Sequence, residues 1–168
     1  MPSLIAYART TTNNLALAFQ TNFDLRFNDE TLLLQALTAP GALGATSIDG
    51  NKGLAHIGDS ALELYLRDEG FERGLTRNGI KVILDEIVSN KALAKRGVAL
   101  GLDGYIQNNP SQGRVVSEGT MANTMEAIIG AYFKDQGMDF QALRRVIMVL
   151  GLGWPEGGEE EEREREGL

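Results

Sequence analysis

Residues 51–66, NKGLAHIGDSALELYL, set a glycine and a carboxylate side by side inside one apolar helix, and few folds accept that arrangement. Leu54, Ile57, Ala61, Leu62 and Leu64 recur near helical spacing and predict a buried face. A mid-helix glycine such as Gly58 costs about 1 kcal/mol relative to alanine, so it predicts a second backbone packed closely at that point. Asp59 follows directly. A carboxylate among apolar neighbours has to be paired, hydrogen-bonded or bound to a cation.

A second stretch, MANTMEAIIGAYFKD over residues 121–135, makes the same statement. Met121, Met125, Ile128, Ile129 and Tyr132 form its apolar stripe, and Gly130 interrupts it. Asn123 and Glu126 stand three residues apart, on one helix face. Two such helices can meet at a shared oxygen-rich site. Hard cations such as magnesium take oxygen ligands of this kind, with water completing the shell.

These stretches also carry a resemblance. IGDSALELYL and TMEAIIGAYFKDQG resemble the two signature helices of the ribonuclease III domain, whose motifs read approximately N-E-R-L-E-F-L-G-D-[AS]-x-L-E and D-x-x-E-A-L-I-G-A-x-Y-x-D-x-G. LLLQALTAP at residues 32–40 resembles the family's L-L-x-Q-A-L-T-H-R-S. IVSNKALAKRGVALGLDGYI at residues 87–106 is similar to its L-V-S-N-x-x-L-A helix followed by L-G-L. The match runs over about residues 15–151, with four motifs in order, and is closest to the single-domain fungal branch without a double-stranded-RNA-binding domain. It implies an all-α domain of about seven helices, a two-fold homodimer, and action on structured or double-stranded RNA.

The resemblance also says which residues carry the chemistry, and where this chain departs. The family's four metal-binding carboxylates fall on Ala55, Asp59, Asn123 and Glu126. The accessory acid of the first motif falls on Lys52. The phenylalanine that plugs the partner subunit falls on His56, which places His56 and Ile57 at a dimer contact. The implied catalytic residues are Asp59 and Glu126, and the implied metal ligands are Asp59, Asn123 and Glu126. Two-metal hydrolysis sets two cations about 4 Å apart and needs anionic ligands to offset their repulsion. Two acids and an amide imply a single magnesium, with manganese as its substitute, weakly held. The expectation is therefore a divergent endoribonuclease with impaired or altered hydrolysis. Its alternative is an inactive dimeric protein that binds RNA or serves assembly, as ribosome-associated members of the family do.

Each of these residues has a plainer reading. Asp59 and Glu126 can be buried acids tied into helix caps or to Arg and Lys. His56, the only histidine, can be a ligand or general base, but an interface or core histidine is the commoner role. Glu63 can add a ligand or pair with a neighbouring cation. Arg77, Lys81, Lys91, Lys95 and Arg96 are candidate phosphate contacts for an RNA duplex, which is read by shape, phosphates and 2′-hydroxyls. Asp85 and Glu86 interrupt that basic run, as they would on an ordinary solvated face.

The remaining chain bounds the answer. Its 168 residues suit one core. There is no cysteine, which excludes disulfides and thiolate chemistry. No apolar run approaches the roughly 20 residues of a membrane span, and no Asn-x-Ser/Thr acceptor is present. The default is intracellular, cytoplasmic or nuclear, with mitochondria left open. Residues 1–12 read as a flexible terminus, since one Arg is short of the Arg-rich pattern of organelle-targeting segments. Helices are expected over 14–23, 31–38, 77–99 and 140–150 besides the two signature stretches, and 40–51 reads as a loop. The domain is expected over 13–153. Residues 154–168 read as an acidic disordered tail. Its seven Glu and two Arg give a net of −5, and the whole chain is −7, which leaves the body at −2.

Overall fold

The computed structural model describes residues 4–155. Seven helices follow one another: α1 (Leu4–Phe23), α2 (Glu30–Ala36), α3 (Lys52–Glu72), α4 (Arg77–Ile87), α5 (Asn90–Ala99), α6 (Glu118–Asp135) and α7 (Phe140–Val149). Short 3-10 turns occur at Leu102–Gly104 and Pro110–Gln112. No strand occurs among the described residues; the one bridge of that kind joins Thr38 to Gln107. The all-α expectation of about seven helices holds. Residues 1–3 of the expected flexible terminus and 156–168 of the expected tail lie outside the described residues.

The helices begin where small polar side chains can cap them. Asp29, Thr76, Ser89, Ser117 and Asp139 each accept a backbone N–H from the first turn of the helix they precede. Such a cap contributes about 1 kcal/mol. Ser89 also corrects the reading of one long helix over 77–99. Its extended backbone and its bond from Ala92 N, at 3.3 Å, break that stretch into α4 and α5. Val98, which periodicity on one continuous helix would turn inward, is exposed.

Helix α6 is the axis of the molecule. Of residues 121–132, all are buried except Asn123 and Glu126, which are half-buried. A helix apolar nearly all round belongs in the centre of a domain. Against it pack α3, α2, α5 and α7. Leu143, Val146 and Ile147 of α7 and the following Leu150 are buried, as their spacing predicts. Met121 and Met125 press on Gly97 of α5.

Helix α3 is longer than the sequence suggests. It continues past Asp68 through Gly70 to Glu72 before Gly74 takes the left-handed conformation at φ 72°. Leu54, Ala61, Leu62, Tyr65 and Leu66 form its buried face, while Leu64, expected inward, is 54% exposed. The start of α3 is pinned by Asn51, which is fully buried. Its Nδ2 donates to Ala36 O (2.9 Å) and to Thr124 Oγ1 (3.2 Å), joining the end of α2, the start of α3 and the middle of α6.

Candidate active site

The site starts from two missing side chains. A Cβ on Gly58 would overlap the Glu126 carbonyl and lie 2.8 Å from Gly130 N. A Cβ on Gly130 would overlap Leu54 O and lie 2.9 Å from Gly58 N. Each glycine lets the other helix's backbone come into direct contact, so α3 and α6 cross at Gly58 and Gly130. Asp59 is the neighbour of one glycine and Glu126 stands one turn before the other. The crossing brings the two carboxylates to one place, half-buried on both helices.

Their electrostatics show the strain of that placement. Burial pushes the Asp59 carboxyl above the ordinary carboxylate range, and the neighbouring Glu63 adds to the rise, opposed by His56 and Arg67. Burial likewise raises Glu126, to about 7, with the charge of Asp59 as the second cause. Among the described residues no Lys, Arg or His forms an ion pair with either acid. The plainer reading, acids tied to basic side chains, is therefore not how this pair is held.

The other candidates fall as follows. Asn123 is half-buried on the Glu126 face of α6. Ala55 is buried one turn before Asp59, so the position that carries an acid in the resemblance presents only a methyl group. Lys52 and His56 are exposed, and Ile57 is half-buried. Glu63 is taken by Arg67 in an i,i+4 ion pair. Arg77, Lys91 and Lys95 are exposed, and Lys81 is exposed but paired with Asp85 at 2.5 Å. Arg96 differs from the rest: its Nε donates to Leu150 O at 2.8 Å, and its guanidinium lies against Gly151. That bond ties α5 to the end of α7 and turns Arg96 inward. Arg77 and Lys81 ride on α4, and Lys91 and Lys95 on α5.

Whether a metal fits is decided by the donor set. Two half-buried carboxylates, both raised by burial, with an amide on the same face of α6, suit one hard cation whose remaining positions are water. They do not suit two. Among the described residues no three His, Cys, Asp or Glu side chains gather into a metal-binding group.

A second acid-centred cluster escaped the sequence reading. Glu69, near the end of α3, is buried and receives both Arg73 and Arg144, the latter at 3.2 Å. Trp154 lies under Arg73, with its ring centroid 5.1 Å from the guanidinium carbon, and its indole touches the Gly70 position. Trp154, expected to open the tail, is therefore part of the domain. The Glu69–Arg73 spacing of i,i+4 was the available signal; the contribution of Arg144, 75 residues away, had none in the sequence.

The domain is all-helical, and its two central helices cross on paired glycines with one acid from each helix at the crossing. The chain belongs to the ribonuclease III domain family: that family's model matches residues 52–137, from the start of α3 past the end of α6. Among curated relatives, "Ribonuclease 3" of Oleidesulfovibrio alaskensis is 33% identical over 141 residues, covering 80% of this chain and 61% of the relative. "Ribonuclease 3" of Bordetella pertussis is 35% identical over 136 residues, covering 77% of this chain and 50% of that one. The chain thus spans about half to three-fifths of these relatives' length. In fold, it superposes on the nuclease domain of a Campylobacter jejuni ribonuclease III with a TM-score of 0.68 at 22% identity, covering 81% of this chain and 96% of that one.

Proposed function

We propose that this chain is a divergent ribonuclease III-type endoribonuclease that acts on structured or double-stranded RNA, with one weakly held magnesium ion and reduced hydrolysis. The observation that carries the reading is the glycine-paired crossing of α3 and α6, which gathers Asp59 and Glu126 where the family's two signature helices meet. Asp59 and Glu126 would hold the ion, and Asn123 would add its amide oxygen without charge. Magnesium bound there would supply Lewis acidity toward a phosphodiester.

The chain's own residues do the rest. Glu126, raised to about 7 by burial and by the charge of Asp59, would give up its proton when a cation is bound there. The cations Arg77, Lys81, Lys91 and Lys95 are exposed on two helices and can reach separate segments of a duplex backbone. Arg96 is left out of this set because of its bond to Leu150. The outer stripe of α3, with His56, Ser60, Leu64 and Phe71 exposed, is the surface on which a two-fold homodimer would form. A dimer would double the RNA footprint of a nearly neutral domain. No helix among the described residues is long and apolar enough to cross a membrane, and an intracellular RNA is the expected substrate.

A second reading is favoured by a specific observation. Ala55 is buried and Asn123 is neutral, so two of the family's four acidic positions carry no charge. That favours an inactive dimer that binds RNA or serves assembly. Incubation with duplex RNA in magnesium, then in manganese, beside the Asp59→Ala/Glu126→Ala variant, separates the two. Slow cleavage that the double substitution abolishes is the expected result. Binding without cleavage in either metal would transfer the assignment to the second reading.

A further inference from the structure

Between α2 and the loop of residues 40–50 lies a cavity of about 860 Å³, within the range that holds a small organic group. The loop is closed at its base. Gly50 takes φ 52°, and a Cβ there would lie 2.5 Å from Pro40 N and 2.8 Å from Thr38 O, so glycine lets the loop return onto its own start. Ala39 N donates to Gln107 O at 2.9 Å and Gln107 N to Leu37 O at 2.8 Å, which pins Gln107 beside the end of α2. A compact loop with joined ends is a frequent carrier of binding groups.

The lining is neutral and edged with amides. None of the described residues that line the cavity is charged. Gln35, on α2, and Gln107 are half-buried in its wall, and neither side-chain amide hydrogen-bonds with another described residue. The Thr38 hydroxyl, by contrast, is spent on Leu34 O at 2.6 Å. Leu34 and Leu43 supply apolar surface, and Leu43 is 80% exposed on the loop. A wall without cations does not favour a phosphate, and one without carboxylates does not favour a metal ion. A flat neutral ring matches what is there: apolar side chains for its faces and two unspent amides for the donors and acceptors on its edge. A glutamine amide pairs bidentately with adenine, accepting from N6–H and donating to N7. The cavity is tied to the acid site through Asn51, whose Nδ2 bonds Ala36 O, next to Gln35, and Thr124 Oγ1, next to Asn123. Asp59 stands seven residues beyond the first residue of α3, about 10 Å along the axis, the length of a few nucleotides.

We propose that this cavity receives an unpaired adenine base of the RNA, turned out of its strand, with Gln35 and Gln107 hydrogen-bonding its edge and Leu34 and Leu43 against its faces. Bases in bulges and loops splay out in this way, whereas a base within a duplex has first to be unpaired. The chain then prefers a duplex with an adenosine bulge over a perfect one. This rests on the reading that the chain binds structured RNA, and it adds a base-reading contact to the phosphate contacts assigned above.

Fluorescence anisotropy of a short labelled RNA duplex with the full chain, at low salt and in chelator so that no cleavage intervenes, tests it. The duplex is compared perfectly paired and with a single bulged adenosine, 7-deazaadenosine or uridine. The adenosine bulge should bind about ten-fold more tightly than the perfect duplex, the worth of one bidentate contact. 7-Deazaadenosine, which lacks the N7 acceptor, and uridine should lose most of that gain with the unaltered protein, where folding is not in question. Gln35→Leu/Gln107→Leu should lose it as well, while its affinity for the perfect duplex stays that of the parent. Equal affinity for perfect and bulged duplexes, or a bulge preference that survives both 7-deazaadenosine and the double substitution, would overturn the proposal and leave the RNA reading standing. No binding of any duplex would remove the RNA reading and the proposal with it. Saturable binding of adenosine alone, without a bulge preference, would assign the cavity to a free nucleoside and overturn its assignment to RNA.

Discussion

Two acids of helix α3, Asp59 and Glu69, are treated in opposite ways. Glu69, near its C-terminal end, is met by two guanidinium groups and sits beside a stacked Trp154. Asp59, in its N-terminal half, forms no ion pair among the described residues and instead faces a second acid, Glu126, across the Gly58–Gly130 crossing. The first arrangement is finished: the acid is paired inside the chain. The second is balanced only when something positive arrives from outside. A helix that holds both shows that the unpaired pair at Asp59 is not a general shortage of basic residues, because Arg73 and Arg144 were available within the same fold. The difference marks one end of α3 as structural and the other as the candidate site.

The largest effect expected from breaking this comparison is steric. Gly58→Ala drives a methyl group into the Glu126 carbonyl, where only backbone can yield, and should cost more than about 3 kcal/mol in denaturant unfolding. Gly70→Ala, at the other end, meets the Ile80 side chain at 2.5 Å and the Trp154 ring edge at 3.1 Å. Ile80 can rotate away and the helix gains an alanine, so the variant should stay within about 1 kcal/mol of the parent. Equal losses at the two glycines would remove the distinction between a backbone crossing and a side-chain contact.

Next come the acids themselves, with opposite signs. Glu69→Gln leaves Arg73 and Arg144 facing a neutral amide and should destabilise by about 2 kcal/mol near pH 7. Glu126→Gln should stabilise at high pH. The Glu126 carboxyl titrates near 7 in the folded chain and near its ordinary value of 4.5 when unfolded. The folded state therefore binds this proton more tightly. The resulting stability is complete below about 4.5 and is lost as pH rises through about 7. Glutamine imitates the protonated form at every pH. After a discount for solvent screening of a half-exposed group, the gain should be about 1–2 kcal/mol at pH 8 and close to nothing at pH 4. Urea melts at the two pH values check it; a loss at pH 8 would mean that Glu126 is held by a partner after all.

The smallest effect is the response to metal. Ala55→Glu with Asn123→Asp returns two negative charges to the crossing. In chelator the double variant should be less stable than the parent, the more so because Ala55 is buried. Magnesium at ten times its dissociation constant should return about 1.4 kcal/mol, as a ligand of the folded state does. The parent should respond less. A double variant that ignores magnesium would remove Ala55 and Asn123 from the site.

Much of this contrast was legible in the residues, and for identifiable reasons. The mid-helix Gly58 and Gly130 announced a close backbone approach, because nothing local rewards glycine there. Asp59 and Glu126 stood out because an ionised group inside an apolar stripe needs an explanation. The break at Ser89 was harder to see. Periodicity continues across it, and only the cap geometry reveals that α5 starts anew. Arg96 looked like its neighbours Lys91 and Lys95, and nothing in its immediate sequence told of Leu150 O, 54 residues away.

The sequence by itself determined the helical class, the apolar stripe of α6, and the family resemblance that the domain match bears out. These follow from local spacing and from the chemistry of single side chains, which a linear reading carries. Only the tertiary structure decided which charges are balanced and which are not. Asp59 and Glu69 are the same kind of residue on the same helix, ten positions apart. What separates them is α6 bringing an acid to one and α7 bringing Arg144 to the other. Coulomb energies depend on distance through space and on burial, and neither is a property of the order of residues along a chain.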